Sequence, residues 1–160
     1  MAAKAKRSWR EKLADSKDFP RLEAMNGKMA ERFGKGSFVI PAPLEVDALM
    51  RQVPKGKLTT INDLREVLAR RHKAVMACPI CTGIFATIAA RAADESESAG
   101  TKNITPYWRT LKLKGELNPK YPGGIENIAT RLRAEGHKIV QKGKRYFIVD
   151  YEKSLAIFGE

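Results

Sequence analysis

The spacing of apolar residues divides the chain into short amphipathic segments separated by Gly and Pro. Helix-like patterns lie around residues 9–14 and 21–33, and residues 37–40 form a short strand or an extended link. Pro43 then begins a further helix, because proline lacks the N–H that the first helical turn leaves without a partner. The buried stripe of that helix is predicted to be Leu44, Ala48, Leu49 and Val53.

Two successive helices are predicted in the middle of the chain, and the segment between them is longer than the tight turn of the simplest helix-turn-helix proteins. The first lies in residues 53–72, VPKGKLTTINDLREVLARRH, where Thr60 suits the N-cap and Asp63 follows as in a capping box. The second runs from about residue 82 to 93 and is followed by the polar segment DESESAG at 94–100, which is predicted to be a flexible loop. The apolar positions expected to face inward are Ile61, Leu64, Val67 and Leu68 in the first helix and Ile84, Phe85, Ile88 and Ala89 in the second.

The last third of the chain combines a helix with a hairpin. Residues 125–132 show a helical pattern that ends at Gly136, the usual C′ residue. HKIVQ and KRYFIVD, joined by residues 142–144, predict a β-hairpin, and residues 151–158 predict a last short helix. We therefore expect a mainly α fold with a small β-hairpin. It comprises a helical N-terminal extension at 1–36 and a domain at 37–160 that ends in the hairpin.

The net charge of the chain indicates which class of molecule it binds. The net charge is +12 and the pI is about 9.9. This excess favours a polyanion such as nucleic acid, through phosphate contacts and counterion release. No apolar run approaches the roughly 20 residues that span a bilayer, and no secretory h-region begins the chain. Two cysteines suggest a reducing compartment, most simply the cytoplasm.

Five sequence pieces in a fixed order carry a family resemblance. VPKGKLTTINDL, a second helix, TPYWRT, YPGG and LRAEGH follow one another between residues 43 and 140. This order resembles the DNA-binding domain of O6-alkylguanine-DNA alkyltransferases, and more closely their non-enzymatic relatives, the alkyltransferase-like proteins. The resemblance implies that residues 37–160 form a winged-helix-like DNA-binding domain with a helix-turn-helix and a C-terminal hairpin.

The same resemblance implies that alkyl transfer has been lost. Pro106, Tyr107, Trp108 and Arg109 match the family's Pro-Cys-His-Arg segment, so Tyr107 stands in place of the acceptor cysteine. A phenol is almost wholly neutral at pH 7 and is a far weaker nucleophile than a thiolate. Trp108 replaces the activating histidine and accepts no proton, while Glu135 matches the family's glutamate. We expect no enzyme activity, no catalytic residue and no cofactor.

What the resemblance leaves is a binding site for a flipped alkylguanine. Tyr107 offers a flat face for stacking, worth roughly 1–3 kcal/mol per base. Tyr121 matches the family's pocket tyrosine, whose hydroxyl can hydrogen-bond a base edge. The implied lesion pocket comprises Tyr107, Trp108, Arg109, Tyr121 and Glu135.

Two positions differ from the family's base-flipping machinery. The arginine that the family inserts into the duplex is matched by Thr82, or by Cys81 in a shifted register, and its phosphate-rotating tyrosine is matched by Ile61. Ile61 is predicted to be a core residue. The expected DNA contacts are Lys55, Lys57, Thr60, Arg70, Arg71, Thr82 and Gly83, and Arg65 and Lys73 are further phosphate-contact candidates.

The segment Cys78-Pro79-Ile80-Cys81 has redox or zinc spacing. Packing residues of the turn, a redox pair, metal ligands and an alkyl acceptor at Cys81 are the four interpretations. A zinc site would require two further ligands, and the chain offers only His72 and His137 as histidines. A histidine often follows Glu-Gly in the family, as His137 does here, so the presence of His137 has a structural explanation. No metal is therefore expected.

The leading interpretation is a non-enzymatic protein that binds double-stranded DNA, recognises alkylated guanine such as O6-alkylguanine and recruits a repair-pathway protein. The first alternative is a regulatory or architectural helix-turn-helix protein that binds DNA without flipping a base. The others are a cysteine-dependent alkyl acceptor using Cys81 and a protein-interaction module.

Overall fold

Six α-helices dominate residues 7–158, the part of the chain that this computed structural model describes. They are α1 (Trp9–Ala14), α2 (Gly27–Phe33), α3 (Pro43–Arg51), α4 (Ile61–Arg71), α5 (Pro79–Ser98) and α6 (Gly124–Ala134). The strands are β1 (Arg21–Ala24), β2 (Ser37–Ile40), β3 (Thr59–Thr60), β4 (Met76–Ala77), β5 (Thr110–Leu111), β6 (Ile139–Lys142) and β7 (Arg145–Ile148). Short 3-10 turns occur at Tyr107–Arg109, Leu113–Gly115 and Tyr151–Ser154. The fold is mainly α and winged-helix-like, as expected from the sequence.

The strands form three small sheets. β2 lies between β1, which is antiparallel to it, and β4, which is parallel to it. β3 and β5 form a parallel pair, and β6 and β7 form the predicted hairpin, with Ile139 opposite Ile148. Residues 37–40, predicted to be a short strand or an extended link, form a strand.

The N-terminal segment differs from its prediction. Residues 21–24 form a strand rather than the first turn of a helix, and the helix begins only at Gly27. The reason is a long-range partner, because Leu22 pairs with Val39 of β2. The division between residues 36 and 37 therefore falls inside one sheet. Residues 1–6 and 159–160, the outer ends of the two predicted segments, lie outside the described residues.

Helix α3 begins at Pro43 as predicted, but its buried face is rotated. Leu44 and Ala48 are exposed, whereas Leu49 and Val53 are buried as expected. Val46 and Met50 complete the inward stripe. These buried residues have ordinary helical spacing, so the helix turns a different set of its apolar residues toward the core than the one predicted.

The predicted cap of α4 is confirmed. The Thr60 side-chain oxygen accepts a hydrogen bond from the Asp63 backbone N–H at 3.2 Å. Leu64, Val67 and Leu68 face the core, as the apolar pattern predicts.

Helix α5 is longer than predicted. It starts at Pro79 and continues through residues 94–98, which were expected to be a loop. Glu95 is held within it, since its carboxylate accepts the backbone N–H groups of Trp9 and Arg10 at 3.0 Å each. The side chain thereby satisfies the N-terminus of α1, which packs along α5.

The C-terminal helix α6 ends where predicted, with Gly136 in the left-handed region at φ +93°. The helix expected at residues 151–158 is reduced to the 3-10 turn at Tyr151–Ser154. The chain then extends because Leu58 donates its backbone N–H to Ser154 and accepts one from Ala156. Within residues 7–158, no helix is both long enough and apolar enough to cross a membrane.

Candidate nucleic-acid interface

Helix α5 presents two large apolar side chains to solvent. Ile80 is 73% exposed and Ile84 is 52% exposed, which corrects the prediction that Ile84 faces inward. Residues four apart lie on the same face of a helix, so the two side chains form a ridge, which we call the Ile80–Ile84 ridge. The opposite face of α5 packs into the core through Phe85 and Ala89. The ridge lies on the second helix of the helix-turn-helix, the helix with which such proteins contact DNA.

A cleft of about 350 Å³ borders this ridge. Ile61, from the start of α4, forms part of its wall and also packs against the core, as predicted. Its other lining residues are Pro79, Ile80, Gly83, Ile84, Thr87, Lys112, Asn118, Pro119 and Lys120. We call this site the recognition-helix cleft. It combines an apolar wall with two lysines, a combination suited to base surfaces and phosphates together.

Two residues expected to contact DNA are used inside the fold. Thr82 is fully buried, and its hydroxyl donates to the Cys78 carbonyl at 2.7 Å. Thr60 is also buried, and its side-chain oxygen caps α4. Gly83, by contrast, lines the recognition-helix cleft.

The predicted basic contacts divide by exposure. Lys55, Lys57, Arg70 and Arg71 are exposed, as is Lys73. Arg65 is half-buried, and its Nε donates to the Ala77 carbonyl at 2.9 Å. Arg65 therefore fixes the segment between α4 and α5.

Tyr107 is fully buried, so its ring presents no face on which a base can stack. The ring makes edge contacts with Trp108 and Tyr121, at centroid distances of 5.2 and 5.9 Å. Its hydroxyl accepts a hydrogen bond from Asn127 Nδ2 at 2.9 Å. Burial raises the pKa of Tyr107, which makes the phenolate still less available.

Tyr121 lies in the same buried cluster. Its side chain is almost entirely inaccessible, and burial raises its pKa well above the ordinary value of a phenol. A hydrogen bond with Asn118 acts in the opposite direction without reversing the shift. Because Asn118 lines the recognition-helix cleft, Tyr121 lies behind the wall of that cleft.

Glu135 is the acceptor in a buried clamp. Its carboxylate accepts hydrogen bonds from Trp108 Nε1 at 2.7 Å, from Arg109 Nε and Nη2 at 2.9 Å, and from the Gly56 backbone N–H at 3.1 Å. Arg109 Nη1 donates to the Val53 carbonyl at 2.8 Å. Burial alone would raise the pKa of Glu135, but these donors lower it overall. The clamp ties α6 to the Tyr107–Arg109 turn and to the loop after α3.

A second cleft, of about 440 Å³, lies beside Trp108. The Arg131 guanidinium is 4.6 Å from the centroid of the Trp108 ring and the Arg109 guanidinium is 5.4 Å from it, both within cation–π range. This Trp108 cleft is lined by Arg51, Glu97, Lys102, Asn103, Ile104, Pro106, Trp108, Arg109 and Arg131. Of the expected lesion-pocket residues, Trp108 and Arg109 line a cleft.

Sequence reasoning missed Ile80, Ile84, Lys112 and Lys120 as surface features. The apolar residues of α5 occupy more than one face, so periodicity alone does not show which of them is exposed. The two lysines come from the loop that follows β5, and only the fold brings that loop against α5.

The two cysteines are neighbours in space. Their Sγ atoms are 3.0 Å apart, and both side chains are partly exposed. His72 lies elsewhere and hydrogen-bonds Glu45 at 2.7 Å. Within the described range of 7–158, no group of three or more His, Cys, Asp and Glu residues is placed to hold a metal ion.

Solved structures share this architecture. S. pombe ATL in complex with DNA aligns with a TM-score of 0.52 at 16% identity, over 72% of this chain and 94% of that one. S. pombe Atl1 in complex with damaged DNA containing O6-carboxymethylguanine aligns over the same shares, at 16% identity and a TM-score of 0.49.

The chain has the alkyltransferase-like fold. No protein-family model matches the sequence, and no curated protein matches it either. At 16% identity this likeness shows the fold alone.

Proposed function

We propose that this protein binds double-stranded DNA through the recognition-helix cleft and prefers duplexes carrying an alkylated or otherwise distorted guanine. The observation that carries the proposal is the Ile80–Ile84 ridge, an apolar surface of a helix-turn-helix bordered by Lys112 and Lys120. The S. pombe ATL structure of the same fold was determined in complex with DNA, which supports the choice of ligand.

Charge supplies affinity without selecting a sequence. A net charge of +12 attracts the duplex, and each lysine that neutralises a phosphate releases counterions. The two lysines bordering the cleft are placed to hold the backbone while the ridge meets the bases.

The ridge gives selectivity because base pairs differ in how easily they open. Apolar side chains such as Ile insert between base steps and partly unstack them, at a cost of a few kcal/mol per step. A damaged pair costs less to open than an intact one, so the same insertion favours damaged DNA. Alkylated guanine is the lesion that the ordered motifs of residues 43–140 favour.

The proposal assigns no alkyl transfer to the protein. Tyr107 occupies the position of the acceptor, but it is fully buried, and its hydroxyl is bonded to Asn127. Trp108 has no basic nitrogen with which to activate a nucleophile. A protein of this kind acts by marking the lesion for a repair-pathway partner, and the two free cysteines fit a reducing compartment such as the cytoplasm.

The test is fluorescence anisotropy with two duplexes of one sequence, carrying O6-methylguanine or guanine at the same position. We expect tighter binding to the modified duplex, weakening with salt for both. Ile84→Ser removes half of the ridge and is expected to abolish most of the preference. The matched control is Ile157→Ser, since Ile157 is 97% exposed and does not line the cleft.

Each part of the proposal can fail separately. Equal affinity for the two duplexes would remove lesion recognition and leave a general DNA-binding protein. Absence of salt-dependent binding would remove DNA as the ligand. If Ile84→Ser and Ile157→Ser behaved alike, DNA would bind elsewhere on the protein.

A second candidate, a helix-turn-helix protein that binds DNA without extruding a base, is favoured by the burial of Tyr107 and Thr82. Neither side chain is placed to hold an extruded base or to replace one in the duplex. Fluorescence of 2-aminopurine at or beside the target position separates the two functions. Unstacking raises the emission, so unchanged emission in the bound duplex would favour the second candidate.

A further inference from the structure

The two cysteines meet at the start of α5. Cys78 is the N-cap residue and Cys81 lies one turn into the helix, with their Sγ atoms 3.0 Å apart. The Cys81 backbone N–H also points at Cys78 Sγ, at 3.4 Å. Since the chain contains only two cysteines, this pair holds all of its thiol chemistry.

The surroundings of the pair differ from those of inert core cysteines. Both side chains are partly exposed, so small reagents can reach them. Cys78 lies at the N-terminus of a 20-residue helix, where the helix dipole favours negative charge. The guanidinium of Arg65 interacts electrostatically with Cys78, and that of Arg21 with Cys81. Reactive thiolates occur in electropositive, partly exposed sites of this type.

The two thiols also differ in their surroundings. Burial and the hydrogen bond with Cys78 raise the pKa of Cys81 to about 11. Cys81 is therefore protonated at neutral pH, which suits it to the resolving role, and this leaves Cys78, the N-cap residue, as the attacking thiol. One attacking and one resolving thiol is the division of roles that disulfide exchange requires.

We propose that Cys78 and Cys81 form a reversible dithiol–disulfide site that exchanges with low-molecular-weight disulfides of the glutathione type. The Cys78 thiolate attacks one sulfur of the disulfide, forms a mixed disulfide and expels one glutathione thiolate. Cys81 then loses its proton to solvent or to that thiolate, attacks the Cys78 sulfur and expels the second glutathione. The protein loses two electrons and two protons, and one glutathione disulfide becomes two glutathione thiols.

The geometry suits closure without refolding. A disulfide requires an S–S distance of about 2.0 Å, so the sulfurs need to approach by about 1 Å from their present separation. Rotation about the side-chain bonds supplies a movement of this size. Metal binding is the weaker use of the pair, because no third ligand accompanies it among residues 7–158.

The experiment equilibrates the full reduced chain in buffers of varied glutathione-to-glutathione-disulfide ratio, quenches with acid, alkylates free thiols and measures intact mass. We expect both thiols to disappear in one transition, with a mass loss of two hydrogen atoms, no retained glutathione and full recovery in dithiothreitol. Cys81→Ser should instead retain one glutathione on Cys78, because the resolving thiol is gone. Cys78→Ser should lack the intramolecular product.

Three results would overturn the proposal. The wild-type chain could keep glutathione as a stable mixed disulfide, or form a disulfide-linked dimer. It could also stay reduced at ratios that oxidise a glutaredoxin-type reference dithiol. Because these readouts use the wild-type protein without DNA, they stand apart from the test of the proposed function.

Discussion

Replacing Glu135 by Gln tests whether the glutamate at the end of α6 is structural. The carboxylate accepts three side-chain N–H groups from Trp108 and Arg109 and one backbone N–H from Gly56. The Arg109 and Glu135 side chains are only 13% and 7% exposed. In Glu135→Gln the size is kept, but the guanidinium loses its counter-charge, and one oxygen that accepted hydrogen bonds becomes a donor.

The expected cost is large for one substitution. Breaking a buried ion pair by removing one partner destabilises a protein by about 3–5 kcal/mol, because the remaining charge stays buried. Total stabilities are about 5–15 kcal/mol, so the variant should lose between about a fifth and all of the original stability. Urea denaturation followed by circular dichroism at pH 7 measures this loss directly.

The pH dependence has a defined sign. The pKa of Glu135 is lower in the folded state than its ordinary value, so the folded carboxylate binds its proton less readily. Its contribution to stability is present in full above the unfolded pKa and is lost as pH falls through the lowered folded pKa. The difference between wild type and Glu135→Gln should therefore shrink as pH is lowered through the acid range.

Glu97→Gln is the matched control for this prediction. Glu97 also pairs with an arginine, Arg131, at 2.6 Å, but its side chain is 41% exposed. Exposed pairs are worth about 0–1 kcal/mol, so this variant should be nearly as stable as wild type. If Glu135→Gln cost no more than Glu97→Gln, the clamp would not stabilise the fold, and another role for Glu135 would have to be sought.

Three further substitutions have definite expected results. Tyr107→Phe should cost about 1 kcal/mol in urea denaturation, because it removes the acceptor of the Asn127 hydrogen bond; unchanged stability would contradict that bond. Gly115→Ala should lower the melting temperature, because φ is +81° and the added Cβ would lie 2.6 Å from Tyr151; an unchanged melting temperature would refute this clash. Lys112→Gln should flatten the slope of log K against log salt by about 0.9 if Lys112 contacts one phosphate, and an unchanged slope would exclude that contact.

Local signals in the sequence were sufficient for several features of the fold. Pro43 at the first turn of α3, Thr60 as the cap of α4 and Gly136 after α6 each satisfy a backbone requirement within a few residues. The β6–β7 hairpin follows in the same way from its turn at residues 142–144 and the flanking apolar runs. Features of this kind can be predicted because the interacting groups are neighbours in the chain.

Features set by distant partners could not be predicted. Residues 21–24 extend because β2 offers them backbone partners, and residues 94–98 stay helical while Glu95 caps α1. The candidate site has the same limitation. A glutamate in a polar run looks the same in the sequence whether it faces solvent, another helix or DNA. The same is true of an isoleucine in an apolar run.

We base the proposed recognition on α5 rather than on Tyr107. By the resemblance, Tyr107 stands in place of the alkyltransferases' acceptor cysteine, yet its ring packs against Trp108 and Tyr121 and its hydroxyl is bonded to Asn127. A closed aromatic cluster discriminates between bases only if it opens, and opening would expose Tyr107, the largest fully buried side chain among the described residues. The Ile80–Ile84 ridge needs no such rearrangement. Selectivity based on the ridge depends on how readily a base pair gives way rather than on the chemical group attached to the guanine. A duplex with a weakened but unmodified pair should then compete with the alkylated one, and this separates recognition by the ridge from recognition by a lesion pocket.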